Sequence, residues 1–200
     1  MKKIILCLLL CVPIIASAQR YSKQTFVGGS IGGRFFAPLY AIALSSFTDG
    51  EVRITASPSV ILNMDRQLGN RISLGLSASY SNIFFQLDDV TLFAESQDFR
   101  FRLHQFALTF RPLIHYGFNE KRNFYSGLRI GQQYNLIDKD QPNNSFFGTR
   151  SFNFINLQIL PVGYRRTVNE RWGYHIELGF GAPHSAAFGI QYTPGADVSK

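Results

Sequence analysis

The chain has 200 residues and a formal net charge of +7; 46% of its residues are hydrophobic and 14% aromatic. That length makes one domain, and its two cysteines, Cys7 and Cys11, stand so close to the start that disulfide and thiol chemistry are excluded for the rest. Beyond the opening, no apolar run approaches the roughly 20 residues of a membrane helix.

Residues 1–18 read as a secretory signal peptide. Lys2 and Lys3 precede an apolar segment, Ile4 to Ile15, and Ala16-Ser17-Ala18 supplies the small residues of a cleavage site. Cleavage after Ala18 removes both cysteines and takes the charge from +7 to +5. An uncleaved anchor is the alternative. Leucine before each cysteine argues against lipid attachment. An exported basic chain points to anionic lipid headgroups and lipopolysaccharide as partners, not to nucleic acid.

From residue 25 onward the signal is alternation with period 2, the mark of strands with two different faces. The first strand spans 25–35, with Val27, Ile31 and Phe35 against Gly28, Ser30, Gly32 and Arg34. Its Gly-Gly-Ser-Ile-Gly-Gly run lacks the Gly-Lys-Ser/Thr and the helix of a phosphate loop. After a connection over 36–50, the second strand sets Val52, Ile54, Ala56, Pro58, Val60 and Leu62 against Arg53, Thr55, Ser57, Ser59 and Asn63. A turn is expected over 65–70. The third strand sets Ile72, Leu74, Leu76, Ala78 and Tyr80 against Arg71, Ser73, Gly75, Ser77 and Ser79. One face is greasy; the other is small and polar, which suits the tight inside of a small barrel with lipid outside.

A long connection is expected over 82–98, where Asp88-Asp89 reads as solvated loop charge more readily than as a cation site. The fourth strand, 99–116, sets Phe106, Leu108, Phe110, Pro112, Ile114 and Tyr116 against Gln105, Ala107, Thr109 and Arg111. Arg100 and Arg102 fall on its greasy parity, which implies either a bulge near His104 or, the favoured reading, projection beyond the lipid. The fifth strand, 123–136, alternates Phe124, Leu128 and Ile130 with Tyr125, Gly127, Arg129, Gly131 and Gln133. The polar 138–150 stretch is a loop. The sixth, seventh and eighth strands span 152–165, 171–181 and 185–192. The seventh sets Trp172, Tyr174, Ile176, Leu178 and Phe180 against Gly173, His175, Glu177 and Gly179. The eighth turns Phe188, Ile190 and Tyr192 outward.

The expectation is an all-β domain over 19–200: an eight-stranded antiparallel up-and-down transmembrane β-barrel. Long connections lie outside and short turns inside. Tyr116, Phe124, Trp172, Tyr174 and Tyr192 form an aromatic girdle at the short-turn rim, with Phe35, Tyr80 and Phe180 at the other. Arg111, Arg129, His175 and Glu177 share the inner face at one level, and buried charge must be paired. Glu177 is therefore expected to pair with Arg111 or Arg129 in a structural plug, since eight strands leave an interior filled by side chains rather than a pore. Arg34, Arg53 and Arg71 are expected inside as well, so that inward arginines outnumber Glu177. A bound anion or counter-charge from Asp-bearing loops then supplies the balance.

Ile54-Thr55-Ala56-Ser57-Pro58-Ser59-Val60 with Leu74-Gly75-Leu76-Ser77, the Phe106-x-Leu-x-Phe-Arg-Pro-Leu stretch with Tyr116, and Phe188-Gly-Ile-Gln-Tyr resemble the small porin-like outer-membrane β-barrel family of Bacteroidota-type genomes. The resemblance covers nearly all of the mature chain. It implies residence in the cell outer membrane, delivery by the barrel insertion machinery and a monomer. One departure is that Thr193 to Lys200 follow Tyr192, where such barrels often end on an aromatic residue. Neither the residues nor the resemblance implies a cofactor, a metal or a catalytic group. The function expected is structural, adhesive or surface-interacting, without an open pore. The alternatives are a lipid-modifying enzyme, for which His184-Ser185 and His104 are the only candidates, and a soluble lipocalin-like binding barrel with its faces reversed.

Overall fold

The computed structural model describes residues 24–34, 51–69, 71–92, 95–119, 122–139, 150–169, 171–181 and 184–194. The expected signal peptide, Phe35, most of the first long connection and the chain's last residues lie outside them.

Among the described residues nine strands are present: β1 (Thr25–Gly33), β2 (Glu51–Ala56), β3 (Ser59–Gln67), β4 (Ile72–Leu92), β5 (Glu95–Asn119), β6 (Arg122–Lys139), β7 (Arg150–Thr167), β8 (Trp172–Gly181) and β9 (Ala186–Tyr192). All pairings are antiparallel: from β3 to β9 each strand pairs with its neighbour in sequence, β2 pairs β4, and β1 pairs both β3 and β9. The sheet therefore closes on itself. β2 and β3 are two halves of one barrel strand, both paired with β4, so the barrel has eight staves.

The faces divide as amphipathic alternation requires. Ile31 is 64% exposed and Leu108 63%, while Arg111 is 1% and Glu177 0% exposed. Val60, Leu62, Leu76, Phe110, Ile159, Phe188 and Ile190 also lie bare on the outside. An exterior of aliphatics around a charged interior is the reverse of a water-soluble barrel and fits a hydrocarbon surround. The lipocalin-like alternative, with apolar residues inside, fails on this distribution.

Several sequence expectations are corrected. The turn placed at 65–70 begins later: β3 runs to Gln67, and Leu68 and Gly69 donate to the Ile72 carbonyl. Asp65 is thus an inward strand residue. The expected connection over 82–98 is instead a strand hairpin. β4 continues to Leu92 and β5 starts at Glu95, in one register from Ile72↔Ile114 to Leu87↔Phe99. Here neither face meets lipid, so the polar-in pattern lapses although the ladder persists. That register passes Asn82↔His104 without a bulge. Arg100 and Arg102 therefore keep the lipid-side parity of Phe106 while standing beyond it on β5.

The face of the second stave also changes midway. β3 pairs β4 as Val60↔Tyr80, but β2 pairs it as Ala56↔Ile83, a slip of one residue at Ser57-Pro58. The slip is tied by the Ser57 amide donating to the Asn82 carbonyl at 2.9 Å and the Asn82 amide to Ser57 Oγ at 3.0 Å. One residue reverses every side chain beyond it. Val52, Ile54 and Ala56 consequently share the axis-side parity of Ile83 and Phe85, and Arg53 stands outside, not within. Arg71, also expected inside, is exposed beside the short turn.

Candidate functional site

The lumen is packed with polar side chains in layers. The middle layer gathers charges from five strands. Glu177 on β8 accepts from Arg111 on β5, from Tyr125 Oη on β6 at 2.6 Å and from Arg129 Nη2 on β6 at 2.6 Å. Asp65 Oδ2 on β3 accepts from Arg165 Nη2 on β7 at 2.6 Å and lies 3.2 Å from Arg111 Nη1. Arg111 therefore bridges the two carboxylates. All five ionic groups are buried, and charge-assisted hydrogen bonds of this kind replace the water they gave up.

Aromatic rings fit around the network. The Arg165 guanidinium lies 4.1 Å from the centre of the Phe26 ring and 5.3 Å from that of Tyr125, within cation–π range. Gly163 makes room for Tyr125: a Cβ at that position would run into its ring. Gly75 does the same for the Asp65 carboxylate.

Above this layer Arg129 Nη1 donates to Gln158 Oε1 at 2.7 Å and to His184 Nε2 at 3.0 Å. Higher still, Asn156 donates to Gln133, and Gln133 and Gln105 both donate to Asn135 Oδ1. Arg34 closes the outer end, donating to Ser81 Oγ at 2.6 Å. At the short-turn end His115 sits between Ser73 Oγ and Asn123 Nδ2, each at 2.8 Å.

Of the residues singled out from sequence, Arg111, Arg129 and Glu177 make one ion network. His175 is buried beside it, and neither of its ring nitrogens has a hydrogen-bond partner among the described residues. The reading missed Asp65, taken as a turn residue, and Arg165, which ended a strand without a face. It missed Tyr125 as a ligand of Glu177, although its inward parity was plain. The surplus of inward arginine is smaller than expected: among the described residues Arg34, Arg111, Arg129 and Arg165 share the lumen with two carboxylates, Glu177 and Asp65, and Asp65 lies on a strand.

The girdle residues Tyr116, Phe124, Trp172, Tyr174 and Tyr192 all point outward near the short-turn rim. Tyr116 pairs across to Phe124; Phe124 packs 4.9 Å from Tyr164, and Tyr164 6.3 Å from Tyr174. Trp172 and Tyr192 lie 5.0 Å apart. At the other rim Tyr80 packs 4.7 Å from Phe106.

Ser73, His115 and Asn123 have the order of a nucleophile, a base and an orienting group. The proton runs the other way: Asn123 donates to Nδ1, so Nε2 carries the hydrogen and donates it to Ser73 Oγ. Ser73 is also wholly buried, where no substrate carbonyl reaches it. His104 Nδ1 faces Tyr80 Oη at 2.9 Å, and His184 is held by Arg129, so neither addresses a serine. Among the described residues no group of three or more His, Cys, Asp or Glu is placed to hold a metal.

No protein-family model and no curated protein matches the chain. Solved structures do. The N-terminal β-barrel domain of OprF from Pseudomonas aeruginosa matches at 13% identity with a TM-score of 0.47, covering 86% of this chain and 99% of that one. Ail, the attachment invasion locus protein of Yersinia pestis, crystallised with the heparin analogue sucrose octasulfate, matches at 11% identity with a TM-score of 0.43, covering 86% and 94%. The translocator domain of the autotransporter NalP from Neisseria meningitidis matches at 8% and 0.36, covering 90% and 92%. At such identities the likeness concerns the fold alone. The closed sheet, the aliphatic exterior with aromatic rims and the charge-filled interior define the chain as a closed eight-stranded β-barrel of the outer-membrane type.

Proposed function

We propose that the protein is a monomeric, non-conducting barrel of the outer membrane that works through the parts of its strands standing above the bilayer, without enzymatic activity or cofactor. One observation carries this reading: β4 and β5 have 21 and 25 residues, whereas roughly 9–11 cross a bilayer. The surplus raises a hairpin far beyond the outer aromatic rim, while the lumen beneath is blocked by the Glu177 network. A blocked channel under a tall sheet suits contact with surfaces and lipids, not transport. Lipid and lipopolysaccharide surround such a barrel as its first partners, and the insertion machinery handles its exterior.

The test is electrical and cellular. Purified protein in planar bilayers is expected to give no single-channel steps, and cells lacking the hairpin tip should lose surface attachment while keeping the barrel. Discrete conductance from the wild-type chain would sink the proposal.

A further inference from the structure

The lipid-facing wall carries polar side chains where hydrocarbon should meet only apolar ones. A groove of about 400 Å³ opens on the outside of β4, β5, β6 and β7. Ala78, Phe106, Leu108, Gln132, Tyr134 and Asn153 line it. Gln132 stands in register between Leu108 and Ile155, and Tyr134 between Phe106 and Asn153. Both Gln132 and Asn153 are exposed, and no hydrogen bond to the side-chain carboxamide of Gln132 occurs among the described residues.

Hydrocarbon supplies no partner for an amide, and an unpaired one there is penalised. The groove lies next to the outer rim marked by Tyr80, Phe106 and Tyr134, at the boundary where acyl chains join their headgroups. Ala78 is the small residue opposite Leu108; its missing bulk leaves a trough wide enough for a chain, with Phe106 and Tyr134 as its upper walls.

We propose that this groove holds an acyl chain of the outer-leaflet glycolipid, lipopolysaccharide, with the Gln132 amide donating to the carbonyl that links chain to sugar. Asn153, beside Tyr134, then meets sugar hydroxyls. The surface is continuous with the lipid-facing belt, and it lies at the end of the barrel away from the short turns, which is the outer leaflet. The inference rests on the reading that the barrel sits in the outer membrane with that end outward.

The test uses the full chain purified from outer membranes in mild detergent, with bound lipopolysaccharide and phospholipid counted by native mass spectrometry. Four proteins are compared: wild type, Gln132→Leu, Ala78→Phe, and Ile190→Phe on β9, an outward position paired with Gly29 and Tyr174 away from the groove. Wild type and Ile190→Phe are expected to retain a single lipopolysaccharide. Gln132→Leu should retain about fivefold less, the effect of one hydrogen bond, and Ala78→Phe none. Gln132→Leu suits lipid better than the native residue, so failure to fold does not confuse the result. Equal retention by all four, or phospholipid in place of lipopolysaccharide, overturns the groove. Fractionation and the heat-dependent gel shift of the same preparations separate the two levels. A folded barrel in the outer membrane that retains nothing overturns this inference alone; a chain absent from that membrane overturns both.

Discussion

Glu177 is the residue on which most of the interior depends. It alone among the described residues offers a carboxylate to Arg129, and it shares Arg111 with Asp65. Glu177→Gln keeps the shape and removes the charge, leaving a buried guanidinium without an anion. Breaking one side of a buried pair costs about 3–5 kcal/mol. The urea midpoint of the barrel in detergent, and the temperature at which its folded gel band disappears, are both expected to fall; an unchanged midpoint would show that the network contributes no stability. Asp65→Asn should cost less at Arg111, which keeps Glu177, but it removes the ion pair of Arg165. Sequence parity was enough to place Glu177, Arg111 and Arg129 on one face at one level. It was not enough for Asp65, because Asp65-Arg66-Gln67-Leu68-Gly69-Asn70 has the composition of a turn, and only the pairing of β3 with β4 as far as Gln67↔Ser73 shows where the ladder stops.

At the scale of elements, the extension of β4 and β5 is separable from the barrel below. Its rungs above Asn82↔His104 pair with each other, with β2 and with the end of β6, and among the described residues none of them pairs with β1 or β9, where the ring closes. Replacing residues 86–100 by an Asn-Gly turn, which suits a two-residue hairpin, is expected to preserve the heat-dependent shift and the urea midpoint within about 1 kcal/mol, the small effect typical of surface changes. Surface attachment should be lost. A chain that no longer folds after this replacement would mean that the hairpin is part of the barrel's own stability. This region was the least legible in the sequence. Alternation reveals a strand only where its two faces meet different surroundings, and above the rim both meet similar ones. The Ser57-Pro58 slip was hidden for the same reason: Val52 to Leu62 alternates without interruption in the sequence, and only the partner strand shows that the two halves face opposite ways.

At the scale of the molecule, the stave count, the order and the inside–outside division were all readable, because lipid outside and packed side chains inside impose the strongest contrast a strand can carry. That contrast can be challenged directly. Leu62 lies in the outward run Val60–Leu62–Met64 of β3, opposite Ala78 and Gly29. Leu62→Arg should cost about 2–4 kcal/mol, the depth-dependent penalty for a cation on the lipid face. Folding into phospholipid vesicles, followed by urea titration, measures it, and a neutral result would mean that this face does not meet hydrocarbon.

Asp65 and Arg165 stand 100 positions apart, and the carboxylates of the network come from β3 and β8, on either side of the seam where β1 meets β9. During biogenesis this pair, set across the lumen between β3 and β7, forms only as the sheet curls into a ring, whereas Glu177 on β8 reaches Arg111 and Arg129 within one run of neighbouring staves. The cross-lumen pair acts as a latch for circular closure.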